Sequence, residues 1–169
     1  MKKVLLLFIS VLFFSCNHSY FHFDEVIHYH KDISSSDIGN MQMDNQRNKD
    51  TTISKLVYLL TAYSYPEKLT DVDYLKILAE NFDKKVVDEK YYDTLRSKVF
   101  IKIKLDSYEE YLCIAHYRDV LIMKKDGKIT GIAKICFDCR QSYFLGSSSQ
   151  KSLVTREQFE NLKKILKVQ

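Results

Sequence analysis

Hydrophobic and polar residues recur with a helical period between about residues 51 and 97. From Thr51 to a boundary at Pro66, spacings of three and four residues predict a helix, and its apolar face is formed by Ile53, Leu56, Val57 and Leu60. A second helix is predicted from an N-cap at Thr70, with an apolar stripe formed by Val72, Leu75, Leu78, Ala79 and Phe82. A short third helix is predicted over the sequence DEKYYDTLRS.

The period changes to two near residue 98. The run KVFIKIKL alternates apolar residues with lysines, which predicts a half-buried strand. Two β-rich runs then flank Asp126-Gly127, a pair suited to a type I′ turn, so an antiparallel hairpin is predicted in which Lys125 faces Lys128. In that register one face is formed by Ile129, Gly131, Ala133, Ile135 and Phe137.

A last helix is predicted from Thr155, with Gln158 completing a capping box and a core face of Phe159, Leu162, Ile165 and Leu166.

This order of elements predicts an α+β domain over residues 51–169. We expect a small antiparallel sheet with a central β-hairpin and helices packed on one face. Residues 16–50 contain the polar stretch DISSSDIGNMQMDNQRNKD, which has no apolar periodicity, and they are predicted to form a flexible tether.

The first sixteen residues have the pattern of an export signal. Lys2 and Lys3 precede the apolar run 4–14, which is much shorter than the ~20 residues that a membrane-spanning helix needs. The sequence Phe-Phe-Ser-Cys at 13–16 resembles a bacterial lipobox. The resemblance implies that residues 1–15 are a signal peptide and that Cys16 is acylated by fatty acids such as palmitate. The alternative is a plain signal peptide or an uncleaved anchor with an unmodified Cys16.

The residues after Cys16 bear on the location of such a lipoprotein. An aspartate at position 17 would resemble an inner-membrane retention signal, but that residue is Asn17. The first acidic residues, Asp24 and Glu25, come late for a resemblance to a surface-export signal. We therefore expect a lipid-anchored protein of the bacterial cell envelope, in the outer membrane and facing the periplasm, whose partners are the membrane and another envelope protein.

Composition argues against several classes of function. The formal charge is +4 for the whole chain and +2 after removal of residues 1–15, which does not favour a nucleic-acid partner. The sequence has no G-x-S-x-G, no phosphate-binding glycine loop and no H-E-x-x-H. These observations favour a non-enzymatic lipoprotein of binding, accessory or immunity type, with no cofactor.

Three further cysteines surround the hairpin. Cys113 and His116 precede it, and Cys136 and Cys139 end it, with Cys136 predicted opposite Tyr117. A structural disulfide from Cys113 to Cys136 or Cys139, or unreactive thiols, is the interpretation that the export signal favours. A zinc site formed by Cys113, His116, Cys136 and Cys139 is the second, and a redox dithiol at Cys136-x-x-Cys139 is the third. The alternative function is accordingly a metal- or thiol-dependent protein with its site at these four residues.

The stretch 113–139, with KDGKI in its middle and ICFDC at its end, resembles small lipoproteins of Bacteroidota-type bacteria. The resemblance implies a location and no particular activity.

Histidines are concentrated in the sequence HSYFHFDEVIHYH. His28 and His30 would share one face of an extended chain, with Asp24 and Glu25 nearby, and could bind a transition metal. Within a mobile tether, however, closing such a site costs conformational entropy, so we expect an unstructured linker instead.

Overall fold

The computed structural model describes residues 19–48, 50–103, 113–146, 152–153 and 155–168. Within them, five strands form one antiparallel sheet in the order β2-β1-β3-β4-β5. The strands are β1 (Glu25–His30), β2 (Asp83–Val86), β3 (Asp119–Lys125), β4 (Lys128–Cys136) and β5 (Gln141–Leu145). The α-helices are α1 (Ser35–Asn48), α2 (Thr51–Thr61), α3 (Val72–Asn81), the single turn α4 (Tyr92–Thr94) and α5 (Arg156–Leu166). The prediction of an α+β fold with an antiparallel sheet and a central hairpin is confirmed.

Helices cover both faces of the sheet, whereas the sequence predicted helices on one face. The first core lies between the sheet and α5 and includes Val26, Leu121, Ala133, Ile135, Phe159 and Leu162. The second lies between the opposite face and helices α2 and α3, and includes Ile27, Val120, Ile122, Leu59, Leu60 and Leu78. Successive strand residues therefore belong to different cores, and both faces of the sheet need apolar side chains.

The hairpin of β3 and β4 has the predicted turn, with positive φ at Asp126 and Gly127 and with Lys125 paired to Lys128. Its register shifts after the turn, because Lys124 pairs with Ile129 and Met123 pairs with Gly131. This bulge leaves Thr130 as the extra residue. Ile129 consequently packs in the core with α2 and α3, while Ala133 and Ile135 face α5, so the predicted common face is wrong for Ile129.

Two other predictions in the middle of the chain are corrected. The predicted strand at KVFIKIKL is absent over its described residues, because Leu95–Val99 form a turn of π-helix and Ile101 makes only an isolated bridge to Ser19. In α3 the N-cap is Asp71, not Thr70, and the buried residues are Tyr74, Ile77 and Leu78. Asp71 accepts a hydrogen bond from the Tyr74 N–H at 2.9 Å.

The predicted tether over residues 16–50 is wrong from Ser19 onward. Strand β1 lies inside the sheet between β2 and β3, and Phe21, Phe23 and Val26 are buried in the core beneath α5. Phe21 packs edge-to-face against Phe100, with ring centroids 5.1 Å apart. The segment is held in the core by its buried apolar residues, Tyr20, Phe21, Phe23, Val26 and Ile27. The polar stretch that follows forms α1, whose Ile38 is buried. Residues 1–18, which include Cys16, lie outside the described residues.

Among the helices that the structure describes, none is both long and apolar enough to cross a membrane.

Candidate metal centre

Strand β1 brings His28 and His30 to one face of the sheet. The two residues are separated by one position, so their side chains leave the strand in the same direction. Val26 lies two residues before His28 and therefore points to the same face of the sheet. It packs beneath α5, which places both imidazoles on the α5 side. The expected common face of His28 and His30 is therefore present, but on a paired strand and not in a linker.

Asp119, the first residue of β3, completes the cluster. It pairs directly with His30 in the antiparallel register of β1 and β3, so its side chain lies on the same face. Its Oδ1 is 2.8 Å from Nε2 of His28 and 2.8 Å from Nδ1 of His30. Asp119 and His28 are buried, while the His30 side chain is 33% exposed.

The three side chains offer the donor atoms of a transition-metal site. One atom from each of His28, His30 and Asp119 lies within 4.8 Å of the other two. Tetrahedral zinc with bonds near 2.1 Å needs donor atoms about 3.4 Å apart, so each 2.8 Å contact would lengthen by roughly 0.6 Å. The paired strands fix the three Cα positions, so this change must come from rotation of the side chains.

The cluster lies at the wall of a pocket of about 440 Å³. The opposite wall comes from the end of α5, at Leu166, Lys167 and Val168, and from Phe137 beyond β4. The last turn of a helix carries unpaired carbonyl groups and a partial negative charge. The carbonyl groups at this end of α5 therefore favour a cation, while Lys167 adds a positive charge to the same wall.

Charged side chains also line the pocket. Arg118 is ion-paired with Asp138, and its Nη1 donates to the Ile33 carbonyl at 3.2 Å. Lys85 pairs with His28 across β1 and β2, and Asp83 pairs with His30, so both point to the same side of the sheet as the histidines.

The cysteines do not form the four-ligand zinc site that the sequence predicted. Cys113 and Cys139 form a disulfide with Cα atoms 5.7 Å apart, which is one of the two pairings that the sequence left open. Cys136 is a free, buried cysteine, and burial raises the pKa of its thiol. Because the disulfide removes two thiolates, the zinc site predicted at Cys113, His116, Cys136 and Cys139 does not form, and neither does a Cys136-Cys139 dithiol.

His116 lies near this disulfide but has another partner. Its Nδ1 is 3.0 Å from Oγ of Ser35 at the start of α1. Burial, together with the positive charge of Arg118, lowers the pKa of His116. It therefore links the cysteine region to α1 as a neutral imidazole.

Sequence reasoning noticed the histidines but missed Asp119. The sequence signal for the pair is the alternation His-x-His in a run that also carries Val26 and Ile27. Asp119 lies 91 positions from His28 along the chain, and only the pairing of β1 with β3 brings them together.

No protein-family model, no curated protein and no solved structure matches this chain.

Proposed function

We propose that this protein is a lipid-anchored, non-enzymatic metal-binding protein of the bacterial cell envelope. Its site is the cluster of His28, His30 and Asp119, and the ion is a divalent transition metal, for which Zn²⁺ fits the donor set best. The observation that carries the proposal is the convergence of both imidazoles on one oxygen of a buried carboxylate at a pocket wall.

The charge of Asp119 supports a cation at this position. Asp119 is 3% exposed, and a buried carboxylate is costly unless its charge is compensated. Within the described ranges, its ion-pair partners are His28 and His30, which are neutral when they act as metal ligands. A bound divalent cation would neutralise the carboxylate and would replace the two hydrogen bonds by stronger coordinate bonds.

The expected anchor is consistent with a domain held close to the bilayer. Cys16 precedes Ser19 by three residues, and Ser19 already makes a bridge to Ile101. An extended chain covers at most about 3.5 Å per residue, so lipid on Cys16 would hold the domain within roughly 10 Å of the headgroups. The long spacer expected over residues 16–50 is not needed for this placement.

Metal binding to the purified, detergent-solubilised protein tests the proposal. We expect one Zn²⁺ per chain in a competition titration with a chromophoric chelator. His30→Ala should weaken the affinity at least about tenfold, because it removes a direct ligand. His22→Ala is the matched control, since His22 is exposed and lies outside the cluster. Equal affinities for the two variants, or no zinc binding by the wild type, would refute the proposal.

A further inference from the structure

We propose that the metal ion held by His28, His30 and Asp119 takes an oxyanion from the pocket as its next ligand. The oxyanion is the carboxylate or phosphate group of a small molecule, and Lys85 contacts it. This inference rests on the proposed function, because it requires a bound metal.

The ligand count leaves a coordination position open. Zinc is usually four-coordinate, and sites with three protein ligands keep the fourth position for water or for a ligand in solution. His28, His30 and Asp119 all come from β1 and β3, so the sheet occupies one side of the ion. The open position must therefore face away from the sheet, where the 440 Å³ pocket lies.

Besides Asp32, which also lines the pocket, Asp83 is a protein group that would compete for this position. It pairs with His30 across β1 and β2 and lines the pocket. Its carboxylate is nevertheless not part of the cluster, whose donor atoms from His28, His30 and Asp119 all lie within 4.8 Å of one another. Among the described residues, no further donor atom therefore takes the fourth position, which is available to a ligand from the pocket.

Two lysines on the pocket wall favour an anionic ligand on the metal, although the carboxylates of Asp32 and Asp83 line the same pocket. Lys85 pairs with His28 and lies on the same face as the cluster, and Lys167 closes the opposite wall. In the part of the chain that the structure describes, neither lysine belongs to a salt bridge, whereas Arg118 is neutralised by Asp138. An oxyanion on the metal would place its remaining oxygens among these ammonium groups, which favours a carboxylate or phosphate over a neutral ligand.

The size and lining of the pocket indicate the rest of the molecule. A volume of about 440 Å³ lies in the range of about 300–1,000 Å³ that is typical of small-molecule sites. Phe137, Leu166 and Val168 supply an apolar wall beside the charged one. The ligand class is therefore a small organic acid or phosphate monoester whose body is neutral or apolar.

Cobalt-substituted protein separates this inference from the proposed function. Co²⁺ reports its coordination through visible absorption, so its binding tests the metal site alone. Inorganic phosphate and acetate are then titrated separately at constant ionic strength. We expect a saturable change in the cobalt spectrum with at least one of the two anions. Lys85→Gln should weaken anion binding about three- to fivefold and leave the Co²⁺ affinity unchanged. Lys128→Gln, at the distant hairpin turn, should behave as the wild type.

Each other outcome overturns a defined part of the proposal. Co²⁺ binding without a spectral response to either anion shows that the fourth position is closed. An anion response that appears only in Asp83→Asn identifies Asp83 as the fourth ligand. Equal anion affinities for Lys85→Gln and the wild type refute the contact to Lys85. Failure to bind Co²⁺ refutes the metal site and, with it, this inference.

Discussion

Asp119 lies directly opposite His30 in the pairing of β1 and β3, and its Oδ1 is 2.8 Å from the Nδ1 of that histidine. The same oxygen is 2.8 Å from Nε2 of His28. The position of Asp119 is set by the backbone pairing of two neighbouring strands near the middle of the sheet. The backbone positions of the three residues are thus fixed by the sheet, which is one condition for a preorganised site.

Replacement of Asp119 should separate metal binding from folding. Asp119→Asn keeps an oxygen that can accept a hydrogen bond from an imidazole but removes the negative charge. We expect the zinc affinity to fall at least about tenfold, with the far-ultraviolet circular dichroism unchanged. Asp138→Asn, which alters an exposed carboxylate of the same pocket, should keep the wild-type affinity. Unchanged zinc binding by Asp119→Asn would contradict the ligand assignment.

Two glycine substitutions test whether the segment around Phe21 belongs to the core. A Cβ at Gly131 would clash with Cδ1 of Phe21, whose ring is held edge-to-face by Phe100 and Phe144. Gly131→Ala should therefore lower the free energy of unfolding by about 1–3 kcal/mol.

Gly39→Ala is the control for that change. Gly39 lies in α1, and a Cβ there would meet no atom within 4 Å. Alanine should stabilise this helix by roughly 0.5–1 kcal/mol. Chemical denaturation measures both variants, and equal stabilities would mean that Phe21 does not pack against Gly131.

The buried Lys134 should make stability depend on pH. Burial lowers the pKa of Lys134 to about 7. Its Nζ donates to the Ala62 carbonyl at 2.6 Å and lies 4.5 Å from the centre of the Tyr117 ring. Between pH 7 and about 9 the unfolded chain binds a proton at this amine and the folded chain largely does not. The free energy of unfolding should consequently rise with pH over this range, by roughly 2 kcal/mol.

Lys134→Met removes this titration, so the rise should be absent from denaturation curves of the variant at pH 7, 8 and 9. The range stops near pH 9 because burial also raises the pKa of the Cys136 thiol, and the earlier loss of that proton from the unfolded chain opposes the trend at higher pH. Parallel pH profiles for the wild type and Lys134→Met would mean that Lys134 stays protonated in the folded state.

The Cys113–Cys139 disulfide should stabilise the fold without taking part in metal binding. It joins residues separated by 26 positions, a loop for which chain-entropy arguments give about 3.5 kcal/mol. The double variant Cys113→Ala/Cys139→Ala should lose about this amount and should bind zinc as the wild type does. In Cys136→Ala the disulfide remains, so addition of a reductant should still destabilise that protein. Loss of zinc binding by the double variant would place a metal site at the cysteines after all.

Lipidation of Cys16 is tested by detergent partition of the protein expressed in its native envelope. The wild type should enter the detergent phase, because two or three acyl chains hold a protein firmly in a bilayer. Cys16→Ser should give an unprocessed precursor or a product in the aqueous phase. Protease added to intact cells should leave the wild type undigested if it faces the periplasm. Equal partition of both proteins would refute the lipobox assignment.

Local chemistry in the sequence was sufficient for elements that depend on near neighbours. Helix α5 has Thr155 as its N-cap, with both hydrogen bonds of the predicted capping box, and its core face is the predicted one. The turn at Asp126-Gly127 needs two residues with positive φ, and this pair adopts that conformation at little cost. In both cases the interacting groups lie within four positions of each other.

The tertiary structure alone decided where more distant residues meet. The alternating run KVFIKIKL could not be distinguished from a helix end by its period, and no neighbouring strand pairs with its described residues. The bulge at Thr130 depends on contacts outside the hairpin, since its Oγ1 donates to the His22 carbonyl at 2.8 Å. The residues expected to form a tether became a central strand, because β2 and β3 supply hydrogen-bond partners on both of its edges. The proposed metal site follows from that pairing, as Asp119 reaches His28 and His30 only when strands separated by about ninety residues lie side by side.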